Sequence, residues 1–185
     1  MQTASTSTSK WTTTNLVMMA VFAAILCISA YISIPLPLPG APHITLLNFV
    51  ILLIALLFPS LEAFLIILVW MILGLIGLPV FIAGGAGVGY LMTPYGGYTV
   101  AFPFVGLLLP LIRGRSYQRI RYTVTVIIGA LFIDLFGMIW LMIATKIPLS
   151  TAIVTGFAAF LPLDLVQAVV DAPIVPAFHK DMHRV

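Results

Sequence analysis

The stretch 61–78, LEAFLIILVWMILGLIGL, decides the fold class: after Glu62 there is no Asp, Glu, Lys or Arg until Arg113. The same holds upstream, where residues 11–61 carry no charged side chain. Each charge-free gap holds about 50 residues, against the roughly 20 that one helix needs to cross a bilayer, so each predicts two spans. Backbone groups in lipid must be paired within their own segment, which selects helices. These runs are uniformly apolar and do not alternate as lipid-facing barrel strands do.

The composition agrees. Of the 185 residues, 62% are hydrophobic and only 7% charged, with a mean hydropathy of +1.22. About a quarter of a soluble domain's residues are charged; this chain cannot cover a solvated surface. A soluble enzyme and a disordered protein are excluded on that ground. The net charge of +3 comes from eight scattered Lys and Arg residues, which form no basic face for nucleic acid. The single cysteine, Cys27, allows no disulfide within the chain and lies in an apolar run, where it reads as a small hydrophobe.

Working outward, six helices are expected: Leu16–Ile34, Ile44–Phe58, Leu61–Leu78, Tyr98–Ile112, Tyr122–Ala144 and Thr151–Phe178. A proline cluster (Pro35, Pro37, Pro39, Pro42) with Gly40 stops the first, because proline cannot continue a helix interior. Pro59 and Ser60 form a turn, with Ser60 placed to cap the third helix and Glu62 in its first turn. A glycine-rich loop covers Pro79–Gly97, a basic loop covers Arg113–Arg121, and Pro162, Pro173 and Pro176 interrupt the last helix. The domain expectation is a tail over 1–14, a six-helix domain over 15–178 and a second tail over 179–185. The apolar run after the Ser/Thr-rich tail is too long for a signal peptide and is read as the first span.

With an even number of spans both termini share a side. That side collects Lys10, Arg113, Arg115, Arg119, Arg121, Lys180 and Arg184, leaving Lys146 alone on the other. The positive-inside rule makes the first side cytoplasmic. The chain is expected to be a multi-pass cell-membrane protein, with the proline cluster and glycine loop outside.

Carboxylates inside spans are costly and mark function by default. Asp134 lies in the fifth helix; Asp164, Gln167 and Asp171 lie in the sixth at i, i+3 and i+7, on one face. They read either as a polar ligand site or as a polar seam between helices. The loop from Gly77 to Tyr90 holds Gly77, Gly84, Gly85, Gly87 and Gly89, with Phe81, Tyr90, Tyr95 and Tyr98 as aromatics able to cover an apolar ligand. Its length suits a functional lid. No Gly-Lys-Ser/Thr occurs, so the chain lacks a phosphate loop of its own. Ala20 and Ala24, at i and i+4, make a small-residue surface suited to close helix approach, internal or with a partner. His179 and His183 share that spacing, but Lys180 stands where a zinc protease needs Glu, so no metal site is expected.

These residues together resemble the biotin-specific substrate-binding (S) components of energy-coupling factor transporters, the BioY family. The resemblance runs from about Leu16 to Phe178. It is carried most specifically by Leu73-Gly74-Leu75-Ile76-Gly77-Leu78-Pro79-Val80-Phe81, then Gly84-Gly85, then Pro94-Tyr95-Gly96-Gly97-Tyr98. Weaker matches are Pro42-His43-Ile44-Thr45-Leu46, Gly137-Met138-Ile139-Trp140-Leu141 and Phe160-Leu161-Pro162-Leu163-Asp164. It implies an all-α integral membrane bundle of six transmembrane helices that is not an enzyme and has no cofactor. It captures a vitamin from outside and delivers it with a shared transmembrane subunit and two ATPases. The implied ligand residues are Thr45, Asn48, Pro79, Phe81, Gly84, Gly85, Tyr90, Tyr98, Trp140, Asp164 and Gln167, and the implied docking face is Ala20 and Ala24. Gln167 replaces the family's usual Lys, Leu47 its usual Gln, and Leu163 its usual Gly. Another small vitamin or precursor, and a stand-alone facilitator, therefore remain alternatives to biotin import.

Overall fold

The computed structural model describes residues 12–35, 43–114 and 116–182. The order is α1 (Thr13–Ser29), a two-stranded hairpin of β1 (Ser33–Pro35) and β2 (His43–Thr45), α2 (Leu46–Leu57), α3 (Ser60–Leu75), the short α4 (Gly87–Leu91), α5 (Gly96–Arg113), α6 (Arg119–Thr145), the short α7 (Leu149–Ile153) and α8 (Leu161–Met182). The architecture is the expected helical membrane bundle. By length and composition α5 and α6 can each cross a bilayer, and the bent run from α7 into α8 is long and apolar enough to do so if it is one broken span. The apolar helices α1, α2 and α3 have 17, 12 and 16 residues, below the roughly 20 of a full span.

α2 is the central element: Val50 to Leu57 are all buried. A helix apolar on every side belongs inside a bundle, and α5, α8 and α1 surround it. α5 packs on α3 and α6, and α6 on α8.

Several boundaries differ from the sequence reading, each for a physical reason. α1 stops at Ser29 rather than Ile34, because Ile34 precedes Pro35 and is driven to extended backbone. Ile34 then pairs with Ile44, so the second helix begins at Leu46 rather than Ile44. Pro37, Pro39, Gly40 and Pro42 lie outside the described residues, as do Lys10, Arg115, His183 and Arg184. Ser60 is the first residue of α3 and not its cap; Pro59 holds the cap position without a side-chain bond. Glu62 lies in the first turn, as expected. The fourth helix starts at Gly96 and tolerates Pro103 and Pro110.

Arg119 and Arg121 belong to α6 rather than to a loop. Arg113 is buried at the end of α5, donating to the Tyr122 hydroxyl (3.0 Å) and the Phe58 carbonyl (2.8 Å). It ties α2, α5 and α6 together at the basic end.

The last helix does not run unbroken over Thr151–Phe178. A π-turn over Val154–Ala158 separates α7 from α8, a 40° bend follows at the start of α8, and the chain stays helical through Met182. The π-turn lies before Pro162 and the 40° bend just after it, between Asp164 and Val166, so the interruption expected near Pro162 is present and those at Pro173 and Pro176 are not. Pro162 sits in the first turn of α8, where a missing N–H costs nothing. The irregular backbone is served from α5: the Tyr98 hydroxyl donates to the Gly156 carbonyl at 2.6 Å. Non-helical backbone at membrane depth persists only where protein satisfies it in this way.

Candidate ligand groove and its lid

The end of the bundle away from Arg113 carries the hairpin, the glycine loop and the π-turn. There a groove of about 320 Å³ opens between the start of α2 and the first turns of α8. Its walls are Ile32, Leu46 and Phe49 on one side and Leu163, Val166 and Val170 on the other, with Thr45 and Gln167 as its polar members. A mostly apolar hollow with a few polar groups is the usual form of a small-molecule site.

Thr45 and Gln167, 122 positions apart in the chain, are thus brought together. Thr45 is held because it closes β2 and precedes α2. Asn48 is half-buried in the first turn of α2. Gln167 is 9% exposed and Asp164, one turn earlier, 5%; Asp171, further along the same face, is 0% exposed. The i, i+3, i+7 pattern therefore does face inward. Gln167 Oε1, Asp164 Oδ2 and both Asp171 oxygens have no hydrogen-bond partner among the described residues. Buried polar atoms are normally paired, so this face carries acceptors that other groups are meant to meet.

The glycine loop is built differently. The sequence reading left it without regular structure, but it folds into a 3₁₀ turn over Ile82–Gly84 followed by α4. Phe81 is fully buried, 5.3 Å from Trp70 edge-on and stacked on Tyr90 at 4.8 Å. Gly85 allows this, since any Cβ there would strike the Tyr90 ring. Gly84, at φ +76°, takes a backbone conformation that glycine adopts at little cost. The Trp70 indole donates to the Val80 carbonyl at 3.0 Å and the Trp140 indole to Thr93 at 3.1 Å. Burial raises the pKa of the Tyr90 hydroxyl, which sits against the Thr99 side chain and the Ile82 backbone N–H.

The loop is pinned to the groove by a residue absent from the sequence reading. Tyr31, adjacent to the groove wall residue Ile32, donates its hydroxyl to the Pro79 carbonyl. Its ring also lies 3.9 Å from where a Cβ on Gly84 would stand. A lone tyrosine after a helix end carries no sequence signal for this role. Of the predicted ligand residues Thr45 and Gln167 line the groove, whereas Asn48, Pro79, Phe81, Gly84, Gly85, Tyr90, Tyr98, Trp140 and Asp164 are not on its wall. Phe81 and Tyr90 pack within the loop, Trp140 holds it from α6, and Tyr98 packs on Phe160 at 5.8 Å. Among the described residues no group of His, Cys, Asp and Glu could hold a metal ion.

A helical membrane bundle with a groove of small-molecule size and a built loop at the same end defines a class: a membrane protein that captures a small solute. Comparison with known proteins places it more closely. The family model described as the BioY family matches residues 2–184, and the chain belongs to that family. It is 31% identical over 156 residues to the biotin transporter BioY2 of Lactococcus lactis, covering 84% of each chain. To the probable biotin transporter BioY of Pyrococcus horikoshii it is 34% identical over 151 residues, covering 82% of this chain and 87% of that one. The crystal structure of the S-component for biotin from an ECF-type ABC transporter superimposes with a TM-score of 0.83 at 26% identity, over 90% of each chain.

Proposed function

We propose that this protein is the substrate-capturing component of a biotin importer. It takes biotin into the groove between α2 and α8 and passes it on within a larger transport complex. The observation that carries the reading is the agreement over nine-tenths of the chain with a solved biotin S-component, joined to a groove of small-ligand size. The fused rings of biotin are largely apolar and suit the Ile, Leu, Phe and Val walls. Its ureido N–H groups suit the unpartnered acceptors of Asp164 and Gln167. Thr45 and Asn48 line the start of α2 beside them, and the loop from Pro79 through Gly84 and Gly85 to Tyr90 closes over the mouth. Tyr98 and Trp140 hold that arrangement in place. Among the described residues no lysine or arginine lines the groove, so in this reading the ligand carboxylate is held by hydrogen bonds.

In this reading transport needs a transmembrane partner subunit and two ATP-binding subunits, because the chain has no phosphate loop. Ala20 and Ala24 are exposed side by side on α1 and suit close approach of a partner helix. In the six-span reading of the sequence seven of eight basic residues fall on the side of the termini and the α5–α6 connection, which supports a cytoplasmic location for that side and an outward groove.

Calorimetric titration of biotin into the purified protein in detergent tests the reading. One-to-one saturable binding is expected. A folded protein that ignores biotin but binds another vitamin would replace the substrate and keep the class.

A further inference from the structure

A second groove, of about 290 Å³, lies where α6 meets α8 and shares no lining residue with the first. Ile120 and Val124 on α6 and Val169 on α8 form its apolar wall, and Arg119 and Thr123 are its polar members. The four residues of α6 fall at i, i+1, i+4 and i+5, on one side of the helix. Ile120, Val124 and Val169 are all exposed, so the described residues leave this wall uncovered.

The charge at this end is one-sided. The segment 113–121 carries four arginines and no carboxylate. Arg113 is spent on Tyr122 and Phe58, and Arg121 gives its Nε–H to the Ile112 carbonyl at 2.9 Å. Arg119, on the groove, makes no hydrogen bond or ion pair among the described residues.

Depth decides what meets it. The 27 residues of α6 rise about 40 Å, more than the hydrocarbon core of roughly 30 Å. Arg119, the first of them, therefore stands at headgroup level, while Val124 lies further in, toward the acyl chains. Tyr117 agrees with this depth, since tyrosines gather at the membrane–water boundary. Its hydroxyl donates to the Ala172 carbonyl at 3.0 Å, about one turn of α8 beyond Val169.

We propose that this groove holds an anionic phospholipid. Arg119 takes the phosphate through its planar fork of N–H donors, Thr123 adds a hydroxyl, and an acyl chain lies along Val124 and Val169. A basic hollow between spanning helices at the bilayer surface suits such a headgroup. A partner helix suits it less, because close helix approach uses small residues and here Ile and Val stand out. A free phosphate would leave the apolar wall bare.

Native mass spectrometry of the purified protein in detergent, titrated with dioleoylphosphatidylglycerol or dioleoylphosphatidylcholine, tests the proposal. The parent should hold phosphatidylglycerol about fivefold more tightly, in a one-to-one adduct, the scale of one arginine at an anionic surface. Arg119→Gln should cut that preference to about twofold or less, since the facing cation is lost. Val124→Trp, which fills the groove, should weaken both adducts while circular dichroism shows the helices intact. A parent without preference, or Arg119→Gln that keeps it, overturns the proposal. So does glycerol phosphate binding as tightly as the lipid, which would make this a bare phosphate site, or a dimer that Ile120→Asp dissolves, which would give the groove to a second copy of the chain. Should Arg119→Gln not fold, Val124→Trp decides alone: a weakened phosphatidylglycerol adduct supports the proposal and an unchanged one overturns it.

Discussion

The glycine loop and the inner face of α8 meet at the same end of the bundle and are built on opposite principles. In the loop the polar groups that hold its shape are used up: Trp70 on Val80, Trp140 on Thr93, Tyr31 on Pro79, with Phe81 sealed between Trp70 and Tyr90. On α8 the reverse holds, since Asp164, Gln167 and Asp171 are buried with acceptor atoms unmet. An unmet buried acceptor costs roughly 1–3 kcal/mol. A fold that bears this cost three times on one face, while completing the loop beside it, separates a finished cover from a face left open for a ligand. Substitutions in the loop should therefore act on stability, and substitutions on α8 on affinity.

The largest effect should come from breaking the loop's anchor. Trp70→Ala removes a fully buried ring and its bond to Val80 and should cost about 3–5 kcal/mol. Thermal unfolding in detergent would register this, and an unchanged midpoint would show that the loop is not anchored there. Gln167→Leu should weaken biotin binding by about 1 kcal/mol, the value of one hydrogen bond. It should leave the melting temperature equal or higher, because an unpaired buried oxygen is removed. Tyr31→Phe should have the smallest effect, about 0.5–1.5 kcal/mol for its bond to Pro79. Faster amide exchange confined to residues 79–90 would report it, and exchange rising across the whole bundle would refute a local pin.

The comparison also explains what could be read before the fold was known. Charge-free runs bounded by Glu62 and Arg113 suffice for a helical membrane bundle, because a bilayer leaves few alternatives. The 164, 167, 171 face was legible because helical spacing is local. The meeting of Thr45 with Gln167 across the groove was not, since 122 positions separate them and no period connects them. Proline content pointed to the bend beside Pro162, but the π-turn at Val154–Ala158, where Tyr98 holds Gly156, depends on a tertiary contact and was not legible. Arg113 looked like a loop charge and is a buried clamp on Phe58 and Tyr122. Its neighbours come from two other helices and leave no trace in local composition. The loop residues Phe81, Gly84, Gly85 and Tyr90 were legible as a glycine-rich run with aromatics and through resemblance to a known loop, and their packing explains why glycine and aromatics occur together there.

The most direct test sets biotin affinity beside ligand-free stability in one variant, Asp164→Asn. A ligand face predicts that affinity falls about 10- to 100-fold while the melting temperature without ligand holds or rises. A melting temperature that drops sharply with affinity intact would make Asp164 part of a structural seam and contradict the assignment of this face to the ligand.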